Sequence, residues 1–166
     1  MKRLAVLLAL PLLLAGCGLR PLYTAGGSGP VANVLGQVDV APIDGKPGWL
    51  VANALRDRLS AGGSQTARYR LDVKLDDKIV GLAVRSDNSV TRERRTLRAR
   101  YQLVELDTGT VVLDATAGSD AGIDVVTSEY ATIAAEASAL ERLSDIVADQ
   151  IVARVALYAR NETAPK

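Results

Sequence analysis

The chain has 166 residues, with 20 Lys and Arg against 19 Asp and Glu, no His, no Phe and a single Cys. That length fits one domain. Without His there is no Ser-His-Asp or Cys-His nucleophile pair and no imidazole metal site, one Cys excludes an internal disulfide framework, and a formal charge of +1 gives no global attraction to nucleic acid.

Met1-Lys2-Arg3 followed by the apolar run Leu4 to Leu14 and small Ala15-Gly16 reads as an export signal over residues 1–16. The run is 11 residues long, whereas a bilayer-spanning helix needs about 20. Leu14-Ala15-Gly16-Cys17 resembles the bacterial lipobox, in which a peptidase cuts before the Cys and that Cys is lipidated. A covalent lipid on Cys17 is the only non-protein group expected; no cofactor and no metal is. Removal of Lys2 and Arg3 lowers the basic count from 20 to 18 against 19 acidic residues, a formal charge of −1. Gly18 stands where inner-membrane lipoproteins often carry Asp, so the resemblance implies the outer membrane, lipid-anchored on its periplasmic side.

Residues 17–34 are expected to form a lipidated segment and tether, flexible through Thr24-Ala25-Gly26-Gly27-Ser28-Gly29-Pro30. The folded domain is expected over 35–160, with a polar tail at 161–166. Val38, Val40 and Pro42 alternate with Asp39 and Ala41, a short strand. A turn over Asp44–Gly48 precedes a helix from about Trp49 to Ala61, stopped by Gly62-Gly63, with Trp49 as a core plug. Tyr69, Leu71, Val73 and Leu75 then alternate with polar residues. The apolar phase flips to Val80, Leu82 and Val84, which predicts a bulge or bend near Asp76 to Ile79.

Arg85 to Ser89 reads as a hairpin turn, followed by a strand over about Val90 to Leu106, a turn at Asp107–Thr110 and a third strand to about Ala117. Gly118 to Asp124 is expected to be a loop. Tyr130, Ile133, Ala137, Leu140, Leu143, Val147, Ile151, Val155 and Tyr158 recur at helical spacing, predicting one long helix from about Ser128 to Arg160. The order β-α-β-β-β-α predicts an α+β two-layer sandwich: a four-stranded, mostly antiparallel sheet with both helices on one face and the other face open.

The densest charge feature is Arg92-Glu93-Arg94-Arg95 with Arg98 and Arg100. In a strand Arg92, Arg94, Arg98 and Arg100 point the same way, opposite Leu97, Ala99 and Tyr101, and Arg68 and Arg70 could extend the patch. Guanidinium groups bind phosphate bidentately, so the face suits a phosphorylated ligand. The simpler alternative is a solvated face paired with Asp72 and Asp76 across the strands. Nucleic acid is not expected, because the exported chain is near neutral and few aromatics accompany the arginines. Asp76-Asp77 lacks the spacing and supporting groups of a metal or acid–base site, and catalysis is not expected.

Cys17-Gly18-Leu19-Arg20-Pro21-Leu22-Tyr23 resembles the mature start of the LptE family of lipopolysaccharide-assembly lipoproteins, and the element order matches that family's sandwich. The resemblance implies a non-catalytic accessory subunit, a plug within the outer-membrane β-barrel LptD. Together the two would insert lipopolysaccharide into the outer leaflet. Leu19, Arg20, Pro21, Leu22 and Tyr23 would lie along the barrel at the membrane surface. Arg92, Arg94, Arg98 and Arg100 would be candidates to meet lipopolysaccharide phosphates or acidic lumen residues. The alternative is a periplasmic lipoprotein accessory of a phospholipid transporter or a cell-wall synthase.

Overall fold

A computed structural model describes residues 29–63, 65–84 and 90–163. Cys17, the segment Leu19 to Tyr23 and the hairpin turn 85–89 lie outside the described residues. The elements are α1 (Pro30–Leu35), β1 (Val38–Val40), α2 (Gly45–Leu59) with a 3-10 turn over Ser60–Gly62, β2 (Tyr69–Val84), β3 (Val90–Glu105), β4 (Val111–Asp124) and α3 (Glu129–Glu162). The four strands form one sheet in the order β1-β2-β3-β4. β1 runs parallel to β2, and α2 makes the crossover that a parallel pair requires. The other two pairings are antiparallel, so the sheet is mixed and the fold is α+β.

One face of the sheet carries the core. Tyr69, Leu71, Leu97, Tyr101 and Leu103 meet Val51, Leu55 and Leu59 of α2 and Leu140, Leu143, Val147, Ile151 and Val155 of α3. Arg58 ties the two helices together through the carboxylates of Asp145 and Asp149. At the proximal end, where β1 and β2 begin, the Tyr69 hydroxyl donates to Glu162 at 3.1 Å and pins the last turn of α3. Burial and hydrogen bonds to Glu162 push the Tyr158 hydroxyl well above the ordinary phenol range.

Several expectations are corrected. α2 begins at Gly45, because Pro47 is tolerated in a first helical turn and Asp44 takes the N-cap position. Trp49 is then 64% exposed and plugs no core. The short helix α1 falls within the expected tether and buries Val31 and Ala32 ahead of the expected start of the fold at Leu35, itself buried. β4 continues through 118–124, where a loop is expected from its glycines and aspartates. Those residues pair with β3 out to Arg92↔Asp124, and Ile123 is buried. α3 buries its stripe only from Ala139 onward; Tyr130 is 88% and Ile133 54% exposed.

The bulge expected at Asp76–Ile79 is absent there. The β2–β3 register is continuous through Gly81↔Glu93 and shifts only between Gly81 and Val84. The sequence's change of phase is therefore real but is not absorbed by the backbone. Asp77 falls on the helix-covered face, where its carboxylate accepts from Arg95 Nε at 2.9 Å, while Arg95 Nη1 donates to the Glu136 carbonyl of α3 at 3.0 Å. Val80 falls on the opposite, open face beside Arg94, Leu82 falls within the register shift, and both are exposed. No helix among the described residues is long and apolar enough to cross a membrane.

Candidate functional site: the open face of the sheet

The face not covered by helices is built from alternate residues of three long strands. Register sets each of its arginines against particular neighbours: Arg100 lies between Lys74 and Thr116, Arg98 between Asp76 and Gly118, Arg94 between Val80 and Gly122, and Arg92 opposite Asp124. All four candidate arginines thus share one face on β3, as the strand period requires. Arg100 lies eight positions beyond Arg92, so the row spans about 27 Å at the usual rise of an antiparallel strand.

Three of the four are neutralised from β4. Arg92 Nε donates to Asp124 at 3.0 Å, Arg98 Nη2 to Asp120 at 3.2 Å and Arg100 Nη2 to Asp114 at 3.0 Å. The expected partners, Asp72 and Asp76, are otherwise engaged: Asp72 with Arg70 at 2.9 Å and Asp76 with Lys78 at 2.8 Å, each two residues along the same strand. Arg68 does not extend the patch; it binds Glu105 at 2.8 Å and lies over the Tyr69 ring.

Two β4 carboxylates also have neutral donors. Gln102 Nε2 donates to Asp114 at 2.8 Å and Thr96 Oγ1 to Asp120 at 2.6 Å. Arg100 first, then Gln102, holds the Asp114 carboxyl below the usual range. For Asp120 the Thr96 hydroxyl is the larger cause and Arg98 a smaller one.

Arg94 differs from the other three. Its cross-strand neighbours are a valine and a glycine, and among the described residues it makes no ion pair, although its charge still acts on Asp120. Lys74, which the sequence reading did not single out, is likewise without an ion pair among the described residues. It borders an open cleft of about 930 Å³ lined also by Asp76, Arg98, Arg100, Thr116 and Asp120. Only the β2–β3 register reveals it, since nothing in the sequence sets Lys74 beside Arg100.

Gly118 shapes this cleft from below. A Cβ there would stand 2.5 Å from Arg98 Cδ, so only glycine lets Arg98 lie across β4 to reach Asp120. Its backbone N–H donates to Gln150 Oε1 at 2.9 Å and its carbonyl accepts from Gln150 Nε2 at 3.3 Å, so α3 caps the edge strand at that point. Asp76 and Asp77 point to opposite faces of β2, one on Lys78 and the other on Arg95, and cannot act as a carboxylate pair. The arrangement is a charged surface suited to binding.

Several solved bacterial lipoproteins share this architecture. A crystal structure described as a lipoprotein of Caulobacter crescentus CB15 matches with a TM-score of 0.67 and 22% identity, covering 82% of this chain and 100% of that one. Rare lipoprotein B of Shewanella oneidensis matches with a TM-score of 0.60 and 12% identity over 77% and 99% of the two chains. A minor lipoprotein of Acinetobacter baumannii matches with a TM-score of 0.53 and 14% identity over 75% and 94%. These likenesses define the fold. Among curated proteins none matches the chain in sequence. The family model for LptE, lipopolysaccharide-assembly, matches residues 35–155, and the chain belongs to that family.

Proposed function

We propose that the protein is a lipid-anchored outer-membrane subunit, attached through Cys17, that plugs an LptD-type β-barrel and assists its assembly and the insertion of lipopolysaccharide into the outer leaflet. The observation that carries this reading is the open sheet face. It is broad, charged and uncovered by helices, and a polar face of that kind suits the polar interior of a large barrel. Family membership supplies the process in which it acts. The arginine row is the candidate contact for lipopolysaccharide phosphates, and Leu19 to Tyr23 the segment lying near the membrane surface. The work is assembly and binding, with no bond made or broken.

Co-purification from detergent-solubilised outer membranes tests the reading. A large β-barrel recovered in stoichiometric amounts is the expected result; recovery of the lipoprotein without one overturns it, and recovery of an inner-membrane transporter or a cell-wall synthase would favour those partners instead. A Cys17→Ser chain should no longer incorporate labelled palmitate.

A further inference from the structure

The four arginines of the candidate face are not equivalent, and the difference has a regular cause. β4 places a carboxylate within reach of Arg92, Arg98 and Arg100 and places Gly122 opposite Arg94. A carboxylate on a guanidinium uses the donor geometry that a phosphate would use. Asp114, Asp120 and Asp124 therefore occupy the positions where phosphate oxygens of a bound ligand would sit.

The exchange is inexpensive by construction. The side chains of Arg92, Arg98 and Arg100 are 61%, 50% and 67% exposed, so the pairs are solvent-screened and easily parted. When Arg98 and Arg100 leave, Asp120 keeps the Thr96 hydroxyl and Asp114 keeps the Gln102 amide, so neither carboxylate is orphaned.

Resting on the reading of this face as the lipopolysaccharide contact, we propose that Asp114, Asp120 and Asp124 are built-in competitors that set its specificity. Arg94 takes the first phosphate, and only a ligand carrying two or more phosphates displaces the carboxylates and engages the rest of the row. A lipid with a single phosphate meets Arg94 alone and is bound weakly.

The test uses the detergent-solubilised full chain, immobilised, with three probes: bisphosphorylated lipid A, its monophosphorylated form and phosphatidylglycerol. The D114N/D120N/D124N variant is compared with wild type and with a charge-matched control, D39N/D57N/D107N, whose carboxylates make no ion pair with the row. Wild type should prefer the bisphosphorylated probe. The triple variant should gain affinity for the monophosphorylated probes, by about fivefold for each released arginine, and so lose the preference. Arg94→Ser should weaken binding of all three probes in both backgrounds. A triple variant that behaves like the control overturns the inference while wild-type binding of lipid A leaves the broader reading standing. Absence of binding in every chain overturns both. Binding by the triple variant but by no probe to wild type overturns the specificity proposal, since the carboxylates would then block the face outright and select nothing. D120N alone, with a correspondingly smaller gain, covers the case in which the triple variant does not fold.

Discussion

At the proximal end of the sheet the helix-facing positions hold Tyr69, Leu71, Tyr101 and Leu103, all buried, whereas at the distal end the same face holds the ion pair of Asp77 and Arg95. The exposed contents differ as well. Charged and polar side chains such as Arg70, Asp72 and Gln102 face solvent proximally, while distally Val80 and Leu82 of β2 and Tyr130 and Ile133 of α3 are exposed alongside Arg92 and Asp124. The backbone alternation is the same at both ends, because the register runs through the change without a bulge until Gly81. A strand can thus keep its geometry and still exchange what it presents. The proximal end is held by a packed core, and the distal end by strand pairing, by the Arg95–Asp77 pair that the Glu136 carbonyl caps on the helix-covered face, and by the Arg92–Asp124 pair on the open face.

That contrast can be broken at several points. Leu103→Ala removes a fully buried side chain of the proximal core and should cost about 2–5 kcal/mol in denaturant unfolding. Asp77→Ala leaves Arg95 half satisfied in a largely buried site and should cost about 2 kcal/mol, below the range for fully buried pairs. Amide exchange should locate that loss in the distal strands, with proximal protection unchanged; uniform loss would mean that the two ends are one cooperative unit. Arg58→Ala, which separates α2 from α3, should cost about 1 kcal/mol because its partners Asp145 and Asp149 are mostly exposed.

A smaller effect is expected from acid. The lowered carboxyls of Asp114 and Asp120 contribute stability that is fully present above the ordinary aspartate value of 3.8 and is lost as the pH falls through their lower folded values. Melting curves of wild type and D114N/D120N should therefore differ by a constant amount from neutral pH down to that value and converge only below it. Convergence at pH 6 would show that these pairs are not formed in solution. Smallest of all, Leu82→Ser and Tyr130→Ser should each change stability by no more than about 0.5 kcal/mol, since both side chains already face water.

Much of the domain was legible in the sequence, because the information was periodic. The long helix, the three long strands and the turn at Gly109, whose φ is 68°, follow from residue spacing and a glycine where a left-handed backbone is needed. The common orientation of Arg92, Arg94, Arg98 and Arg100 followed from the same period. What was not legible depended on register. Gly118 and Asp120 look like loop residues until one sees that glycine makes room for Arg98 and that aspartate receives it. Lys74 and the isolation of Arg94 are properties of cross-strand neighbours and have no signature along the chain. Tyr130 misled because the long helix runs past the layer it packs on, burying nothing before Ala139, and Trp49 because it sits on the outward side of α2 between buried Gly48 and Val51.

The short helix α1 has a geometric consequence. It sits against α3 beside the start of β2, where Gln65 N–H donates to the Gly36 carbonyl and Arg68 N–H to that of Gln37, so the preceding chain departs from the proximal end. Pro30 lies thirteen positions beyond Cys17. Even fully stretched, such a leash reaches only about 45 Å, less than the roughly 50 Å length of α3. If Cys17 carries the lipid proposed above, the Tyr69 end is held within that reach of the bilayer, and the end bearing Val80 and Tyr130 can stand a helix length beyond it.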